Sequence, residues 1–290
     1  MEFDLRKSNI HFSHDDFMKL YNLMKTNIWL EEESESLFEL WDLCDSSDKK
    51  DLIIDLLNKF TFLTSRDIHK LGNSIADYIV NYWKISNKRT KIVALSDDTK
   101  PDGSQYILQA IKNKFSDFDT WSENNFNNSL FTIGQVPYKL RNNQTIILID
   151  DFIGTAKTVT RKYNWLLEKI NERRRNGISI YLVSLAIMEE ATDILNSLGL
   201  TFYSPLILKK GISGYYSGDV LENKINNMLD LESFLAPFYK REPLPSLGHG
   251  KSESIFSIEG LNVPNNVFPI FWWPLFKNKQ KRKTILRRIR

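Results

Sequence analysis

Two things are scarce in this sequence, cysteine and long apolar runs, and their scarcity excludes whole classes of protein. Cys44 is the only cysteine among 290 residues, so an intramolecular disulfide is impossible and a reducing compartment is favoured. The N-terminal segment lacks the apolar centre of a secretory signal, and no stretch approaches the roughly 20 apolar residues of a membrane helix. We therefore expect a cytoplasmic protein with no membrane partner.

An excess of charge of one sign is also missing overall, but the charge is unevenly placed. The chain has 39 Lys and Arg against 36 Asp and Glu, a formal net charge of +3. The segment Lys277–Arg290 holds eight of the basic residues and no acid, so the remainder is mildly acidic. Such a tail is typical of a segment that binds nucleic acid by neutralising phosphates, and equally of a solvated, frayed terminus. Both interpretations stay open.

The first third of the chain has the apolar spacing of helices. Between Asp15 and about Trp83 we predict four of them, the third beginning near Ser47 or Asp48 and the fourth after an N-cap at Ser65. Short helices in this number could form a DNA-binding helix-turn-helix. Cover for an α/β core is the more common arrangement, and it is the one we expect.

From Lys91 onward, predicted strands alternate with predicted helices. The strands are Ile92–Leu95, Thr145–Ile149, Ile178–Met188 and Thr201–Leu208, with a shorter one near Leu130–Ile133. The helices are Tyr106–Phe115, Ala156–Arg175, Glu190–Leu198 and Val220–Leu235. The continuous apolar run at Thr145–Ile149 is typical of a strand buried on both faces. The alternation predicts a parallel sheet with right-handed crossovers and flanking helices.

The C-terminal part has a different composition, since Pro243–Pro274 contains five prolines and only one predicted strand, Ser254–Ile258. The Gly-rich segment around His249 and Lys251 either contributes to a ligand site or is an ordinary surface loop. The Pro- and Asn-rich Asn262–Asn266, with Trp272 and Trp273, is a lid over a base, a docking patch, or a segment that packs against the body. We divide the chain into four parts: a helical region 1–88, an α/β core 89–242, an extension or lid 243–276, and a basic tail 277–290.

The residues that carry chemistry are concentrated after the strand at Thr145–Ile149. Asp150 and Asp151 follow it, and the small-residue loop Gly154–Ala156 leads into a helix at Lys157–Thr158. Unpaired backbone N–H groups at a helix N-terminus suit a phosphate group. Paired carboxylates at the carboxyl end of a strand suit ribose hydroxyls or Mg²⁺. The alternative interpretation is that one Asp of the pair caps the helix and the other is solvated. A Walker A loop is excluded because Ala156 precedes Lys157.

This segment, IILIDDFIGTAKT, resembles the ribose-phosphate-binding motif of type I phosphoribosyltransferases. The resemblance covers about Lys91–Leu208, and it implies a type I phosphoribosyltransferase-like α/β fold. It implies that Asp150 and Asp151 contact the ribose hydroxyls and hold Mg²⁺, directly or through water. The residues it assigns to the 5′-phosphate are Gly154, Thr155, Ala156, Lys157 and Thr158.

The same resemblance assigns the pyrophosphate loop of the family to Ser96–Ser104, which follows the preceding strand. It implies that Ser96 and Asp97 contact the ligand and that Lys100 is the charge partner of the diphosphate. Together with Asp150 and Asp151, Lys100 is the expected catalytic group. The implied ligand is a ribose 5-phosphate compound such as phosphoribosyl diphosphate.

Three positions depart from the pattern of purine-salvage members of this family. Gly154 stands where those members carry an acidic general base, and Ala156 replaces a loop glycine. Met188–Glu190 stands where they carry a lysine that reads the base. A catalytically inactive subunit that senses a nucleotide or binds nucleic acid is therefore the alternative to an enzyme.

The overall layout also resembles phosphoribosyltransferase-like proteins of bacterial conflict operons, including retron-type antiphage systems. The features that carry this resemblance are the helical front, the variant loop at Asp150–Thr158 and the Pro- and Asn-rich end. It implies a toxic effector that acts on nucleotides or nucleic acid. It further implies an operon-encoded partner, which in a retron is a reverse transcriptase with its RNA–DNA product.

Overall fold

The computed structural model describes residues 13–96, 102–118, 120–133 and 140–289. The α-helices are α1 His14–Thr26, α2 Ser34–Asp42, α3 Ser47–Asn58, α4 Ser65–Asp77, α5 Gly103–Lys112, α6 Lys157–Glu172, α7 Glu189–Ser197 and α8 Gly218–Glu232. The strands are β1 Thr61–Leu63, β2 Thr90–Ala94, β3 Phe126–Asn127, β4 Thr145–Ile153, β5 Ser179–Met188, β6 Thr201–Tyr203, β7 Leu206–Leu208, β8 Phe238–Tyr239, β9 Glu242–Pro243 and β10 Phe256–Ile258. No helix in these parts of the chain is long and apolar enough to span a bilayer.

A parallel sheet forms the centre of the molecule, as predicted. Its strand order is β3–β2–β4–β5, with β6 and β7 both on the outer side of β5, and every pairing in it is parallel. Ala94 of β2 lies opposite Ile149 of β4, so these strands end side by side. Ile146–Ile149 is fully buried between the helices that flank the sheet, which explains its lack of polar alternation. The predicted α/β fold class is confirmed.

Three predicted strands differ from those observed. Leu130–Thr132 is a short 3₁₀ turn rather than a strand, because the Ser129 hydroxyl accepts a hydrogen bond from the Phe131 N–H and starts the turn. The predicted strand Thr201–Leu208 is broken at Pro205, which has no N–H to donate to a sheet. β4 runs on to Ile153, so the two acids lie within the strand and not after it.

A second apolar core lies beside the sheet, and it joins the two ends of the chain. Helices α1, α2 and α3 pack there against the segment from Leu247 to Leu286. Only α4 lies on the sheet, so the expectation that the N-terminal helices cover the α/β core is correct for that helix alone. Trp272 and Trp273 are fully buried in the second core, and the lid and docking-patch interpretations of these two side chains are therefore wrong.

The basic tail is folded against the N-terminal helices. Ile285 and Leu286 are buried in the second core, and the Leu286 N–H donates to the Phe271 carbonyl. Arg287 forms an ion pair with Glu33 at 2.9 Å, and Lys283 pairs with Glu35. The frayed-terminus interpretation is wrong for the described residues of the tail, because two of its apolar side chains are buried and Lys283 and Arg287 pair with Glu35 and Glu33. Nucleic-acid binding by the tail stays a prediction.

Because the tail is part of a core, shortening one of its buried side chains should destabilise the whole protein. We expect Ile285→Ala to lower the free energy of unfolding by about 2–4 kcal/mol, the usual cost of a cavity left by a buried aliphatic side chain. Ile289→Ala is the matched control, since Ile289 is 84% exposed whereas Ile285 is 3% exposed. Urea unfolding of both variants measures the difference. Equal stabilities would mean that the tail is not docked.

Candidate functional site

The predicted acidic pair lies at the carboxyl end of the central strand β4. Asp150 and Asp151 are half-buried, and the Asp150 carboxylate accepts a hydrogen bond of 3.0 Å from the Asp151 N–H. Asp150 lies opposite Ser184 of β5 in the strand register. The pair is therefore held by the most central part of the sheet, which leaves its backbone little freedom.

A third carboxylate, Asp102, joins this pair from the neighbouring strand–helix connection. Asp102 is the N-cap of α5, and its side chain accepts a hydrogen bond of 2.8 Å from the Ser104 N–H. One oxygen from each of Asp102, Asp150 and Asp151 lies within 4.8 Å of the other two. Sequence reasoning placed Asp102 in the pyrophosphate loop but did not single it out. Its N-cap position before α5 was the available signal.

The position of Asp151 depends on a glycine in α5. A Cβ atom on Gly103 would lie 2.3 Å from the Asp151 Oδ2, which is closer than any real contact allows. Gly103 is the first residue of α5, so the Asp151 carboxylate lies against a helix N-terminus, where unpaired N–H groups favour negative charge. Only glycine permits this approach.

The three carboxylates lie close enough to repel one another. Burial raises the pKa of Asp150 well above its ordinary value, and the nearby charges of Asp151 and Asp102 raise it further, while Lys162 opposes them. Burial also raises the pKa of Asp151, and Asp102 adds to this shift. A divalent cation bound between the oxygens would relieve this repulsion. Carboxylate oxygens are the ligands that Mg²⁺ prefers, so the donor set fits that ion.

The loop that follows β4 leads into the N-terminus of α6 through a residue in the left-handed region. Ala156 has a φ of 55°, in the left-handed region, at the position where the family pattern has glycine, and it immediately precedes α6. Thr155 is half-buried, whereas Lys157 and Thr158 in the first turn of α6 are exposed. The first N–H groups of α6 have no partner within the helix, so they are available to an anion.

The C-terminal segment covers one side of this loop. A Cβ atom on Gly154 would lie 2.4 Å from the Asn266 side-chain amide, and one on Gly250 would lie 2.7 Å from the Thr155 Cγ2. The Asn266 Nδ2 donates to the His249 carbonyl and to the Ser252 hydroxyl, each at 3.1 Å. The buried Asn266 amide thus fills the space into which an acidic side chain at Gly154 would project. Nothing in the sequence pattern indicated this role for Asn266.

Two buried carboxylates hold the covering segment in place. Glu232 of α8 accepts hydrogen bonds from the Ser246 hydroxyl and the Leu247 N–H, and burial raises its pKa to about 7. Glu253 accepts hydrogen bonds from the backbone N–H groups of Ile212 and Ser213. Between these two anchors, His249 and Lys251 are exposed beside the loop at Thr155. A contribution of these two side chains to a ligand site stays a prediction.

The residues expected after β2 are only partly described. Ser96 is fully buried; its hydroxyl donates to the Asn128 carbonyl at 2.6 Å and accepts from the Gln105 Nε2 at 3.1 Å. Asp97 and Lys100 lie outside the described residues. Lys162 of α6, which sequence reasoning missed, is buried and donates to the Leu95 carbonyl at the end of β2. The positive charge of Lys162 lowers the pKa of Asp150 and so opposes the effect of burial.

The contact between Gly154 and Asn266 should show as a coupling of two substitutions. We expect Gly154→Ala alone to cost about 1–3 kcal/mol, because the added methyl displaces the Asn266 amide. In the Gly154→Ala/Asn266→Ala double variant the methyl has room, so the loss should be smaller than the sum of the single losses by about 0.5–3 kcal/mol. Denaturant unfolding of all four proteins gives the coupling. Strict additivity would show that the two residues are not in contact.

The raised pKa of Asp150 predicts a pH-dependent stability difference. Between pH 3.8 and the raised pKa, the folded protein binds a proton that the unfolded chain releases, so stability falls as the pH rises through this window. Asp150→Asn removes this loss. Without divalent metal, we expect the variant to melt about 2–4 °C above the wild type at pH 7, and the gain to vanish near pH 4.

Thermal unfolding measured from pH 4 to pH 8 tests this expectation. Asp117→Asn is the matched control, because Asp117 is an exposed acid away from the cluster. A gain that does not change with pH, or that the control variant shares, would contradict the electrostatic origin.

Comparison with known proteins gives a family model and several solved structures. A family model described as PRTase-CE matches residues 28–288. No curated protein matches the chain in sequence. Among solved structures, a hypothetical protein from Neisseria gonorrhoeae with bound ppGpp is 13% identical, with a TM-score of 0.38 over 52% of this chain and 85% of that one.

Two further solved structures are similar to part of the chain. A hypoxanthine phosphoribosyltransferase from Trypanosoma cruzi, with its product IMP, is 13% identical, with a TM-score of 0.33 over 52% of this chain and 75% of that one. A hypoxanthine-guanine phosphoribosyltransferase from Schistosoma mansoni, in complex with IMP, is 14% identical, with a TM-score of 0.30 over 51% and 66%. The family model covers most of the chain, including the sheet, the acidic cluster and the C-terminal segment. The protein therefore belongs to the PRTase-CE family and has a phosphoribosyltransferase-like fold.

Proposed function

We propose that this protein binds a ribose 5-phosphate ligand such as phosphoribosyl diphosphate together with Mg²⁺, and transfers or hydrolyses the ribosyl group at its anomeric carbon. One observation carries the proposal: the cluster of Asp102, Asp150 and Asp151 lies at the end of the strand whose next loop is the phosphate cradle Gly154–Thr158. A ribose 5-phosphate has hydroxyls at one end and a phosphate at the other, which matches this pairing of acids and N–H groups.

Each part of the site has a role in this proposal. The N–H groups at the start of α6 and the Thr155 and Thr158 hydroxyls bind the 5′-phosphate. Asp150 and Asp151 accept hydrogen bonds from the ribose hydroxyls and, with Asp102, hold the metal. Bound Mg²⁺ would supply charge neutralisation of the leaving diphosphate. From the family resemblance we assign Ser96, Asp97 and Lys100 to the diphosphate.

At the position of the family's general base, the described residues provide an amide and not a carboxylate. The neutral Asn266 amide fills the space beside Gly154, where an acidic base would project. An amide donates and accepts hydrogen bonds but does not act as a base near neutral pH. We therefore propose an acceptor that is already nucleophilic, such as a carboxylate or a phosphate, or one activated by His249 at the edge of the loop. A neutral purine is disfavoured for the same reason.

A second candidate function is a subunit that binds the ligand without turnover. The replacement of the general base by Gly154 and Asn266 favours it, whereas the retained acidic cluster favours an enzyme. As a sensor, the protein would use the C-terminal segment around His249 to report whether the phosphate loop is occupied, because Gly250 lies against Thr155 in that loop.

For the cellular role, we propose a cytoplasmic toxic effector of an antiphage system, restrained by an operon-encoded partner. The support for this role is the sequence resemblance to conflict-operon proteins. The chemistry of the site is compatible with it, since loss or modification of a ribosyl compound arrests nucleotide metabolism. A reverse transcriptase with its RNA–DNA is the partner if the operon is a retron.

Loss of ligand binding in an acid-to-amide variant is the direct test. We expect wild-type protein to bind phosphoribosyl diphosphate with Mg²⁺ in calorimetric titration. Asp150→Asn/Asp151→Asn should weaken binding about a hundredfold, because two charge-assisted hydrogen-bonding groups are lost. Glu31→Gln/Glu32→Gln is the matched control, an adjacent pair of exposed acids with the same change in charge.

The outcomes separate the candidate functions. Binding with consumption of the ligand supports the enzyme, and binding without consumption supports the sensor. A folded wild-type protein that binds nothing would overturn both. Expression in cells without the partner tests the toxic role: growth should slow with the wild type and not with the double variant.

A further inference from the structure

A polar cavity lies at the opposite end of the sheet from the acidic cluster. Its volume is about 320 Å³, and residues at the start of β2 and just before β4 line it. Thr145 at the start of β4 is five residues from Asp150, which corresponds to about 16 Å along a strand. The cavity is therefore separate from the site proposed above, and its occupant need not be the same ligand.

The charged side chains that line this cavity are all cationic. They are Arg89, Lys91 and Arg141, and no acidic side chain is among the described residues of the lining. Within the described parts of the chain, Arg89 and Arg141 form no ion pair. Burial lowers the pKa of Lys91, and the positive charge of Arg141 lowers it further. Lys91 and Arg141 repel each other, and together with Arg89 they give the cavity a positive charge that fits an anion as occupant.

A buried amide in the wall of the cavity has no partner among the described residues. Asn127 of β3 is 5% exposed, and within the described parts of the chain neither its side-chain nitrogen nor its side-chain oxygen has a hydrogen-bond partner. Its neighbour Asn125 is different, because its Nδ2 donates to the Asn87 and Thr90 carbonyls at 2.8 and 2.9 Å. Buried polar groups are ordinarily paired, so an unpaired amide here points to a ligand that pairs it.

We propose that this cavity binds a phosphate group through Arg89, Lys91 and Arg141, with the Asn127 amide as an additional hydrogen-bond donor. Guanidinium groups match the geometry of phosphate oxygens, and two of them can hold one phosphate from both sides. The phosphate can belong to a small molecule, such as a nucleotide or pyrophosphate, or to the backbone of a nucleic acid. Both sources share this chemistry, and the experiment distinguishes them.

The first arm titrates the full chain with inorganic pyrophosphate. Arg89→Gln/Arg141→Gln should weaken binding at this cavity about tenfold or more, because two charge-assisted contacts are lost. Arg66→Gln/Lys70→Gln removes the same charge from exposed positions on α4 and should bind as the wild type does. The phosphate loop and the metal site beside it can also bind pyrophosphate with Mg²⁺, so all titrations contain Mg²⁺ and the Asp150→Asn/Asp151→Asn variant is titrated in parallel. Two binding events in the wild type, with one of them lost in the arginine variant and the other lost in the aspartate variant, would show both sites.

The second arm replaces pyrophosphate by an oligodeoxythymidylate. Oligonucleotide binding that the Arg89→Gln/Arg141→Gln variant loses assigns the cavity to a nucleic-acid backbone, whereas pyrophosphate binding alone assigns it to a small phosphate. If only one binding event occurs and the arginine variant abolishes it, the cavity binds phosphate although the phosphate-loop proposal fails. Binding of both probes that the arginine variant leaves unchanged would overturn the present proposal.

A second variant separates a loss of binding from a loss of folding. Asn127→Leu replaces the unpaired amide with an apolar side chain of similar size. If Asn127 serves only packing, the substitution should leave the affinity for phosphate unchanged. If Asn127 contacts the ligand, the substitution should lower the affinity without lowering the stability. We expect the unliganded variant to melt at the wild-type temperature or higher, and its affinity for the phosphate probe to fall about fivefold to tenfold. An unchanged affinity would exclude Asn127 from the site.

Discussion

The close approach of Asn266 to Gly154 is the contact on which the arrangement of this molecule depends. It brings a segment from the second core onto the loop that follows the central strand, and a side chain larger than glycine at position 154 would prevent it. Two further contacts hold the C-terminal segment in place nearby. Phe152 of β4 stacks on Phe256 of β10 at 4.9 Å, and β10 pairs in parallel with β1. The N-terminal helices and the tail pack against the C-terminal segment, which lies on the loop, so they support the geometry of the site through that segment.

This arrangement explains how the protein maintains an unfavourable cluster of acids. Three carboxylates within 4.8 Å repel one another, and burial disfavours the ionised forms of Asp150 and Asp151. The sheet supplies the compensating stability, since the four residues before Asp150 are fully buried. Sites that bind charged ligands are commonly less stable than the structure around them, and the cost is met by packing elsewhere.

Much of the fold could be predicted from the sequence, because its signals are local. The apolar run Ile146–Ile149 identified the central strand, and the Ser46 and Thr64 side chains cap α3 and α4 close to the predicted starts. The contacts of the site were harder to predict. Asn266 and Gly154 are far apart in sequence, and no periodicity indicates that they meet. Ile285 and Leu286 are two adjacent apolar residues within a basic tail, so their burial depends on a core that the other end of the chain supplies.

The two ends of the central sheet carry opposite charge, and this contrast bears on whether ligands at the two ends affect each other. The carboxyl end presents three acids and fits a cation, whereas the amino end presents three cations and fits an anion. Both sets of residues lie on β2 and β4 or on the connections beside them, and each of these two strands is paired on both sides. Direct charge interaction across about 16 Å is weak at physiological ionic strength, where the screening length is about 8 Å. Any coupling between the two ends must therefore pass through the backbone of these strands, and the rigidity of the sheet favours two sites that bind independently.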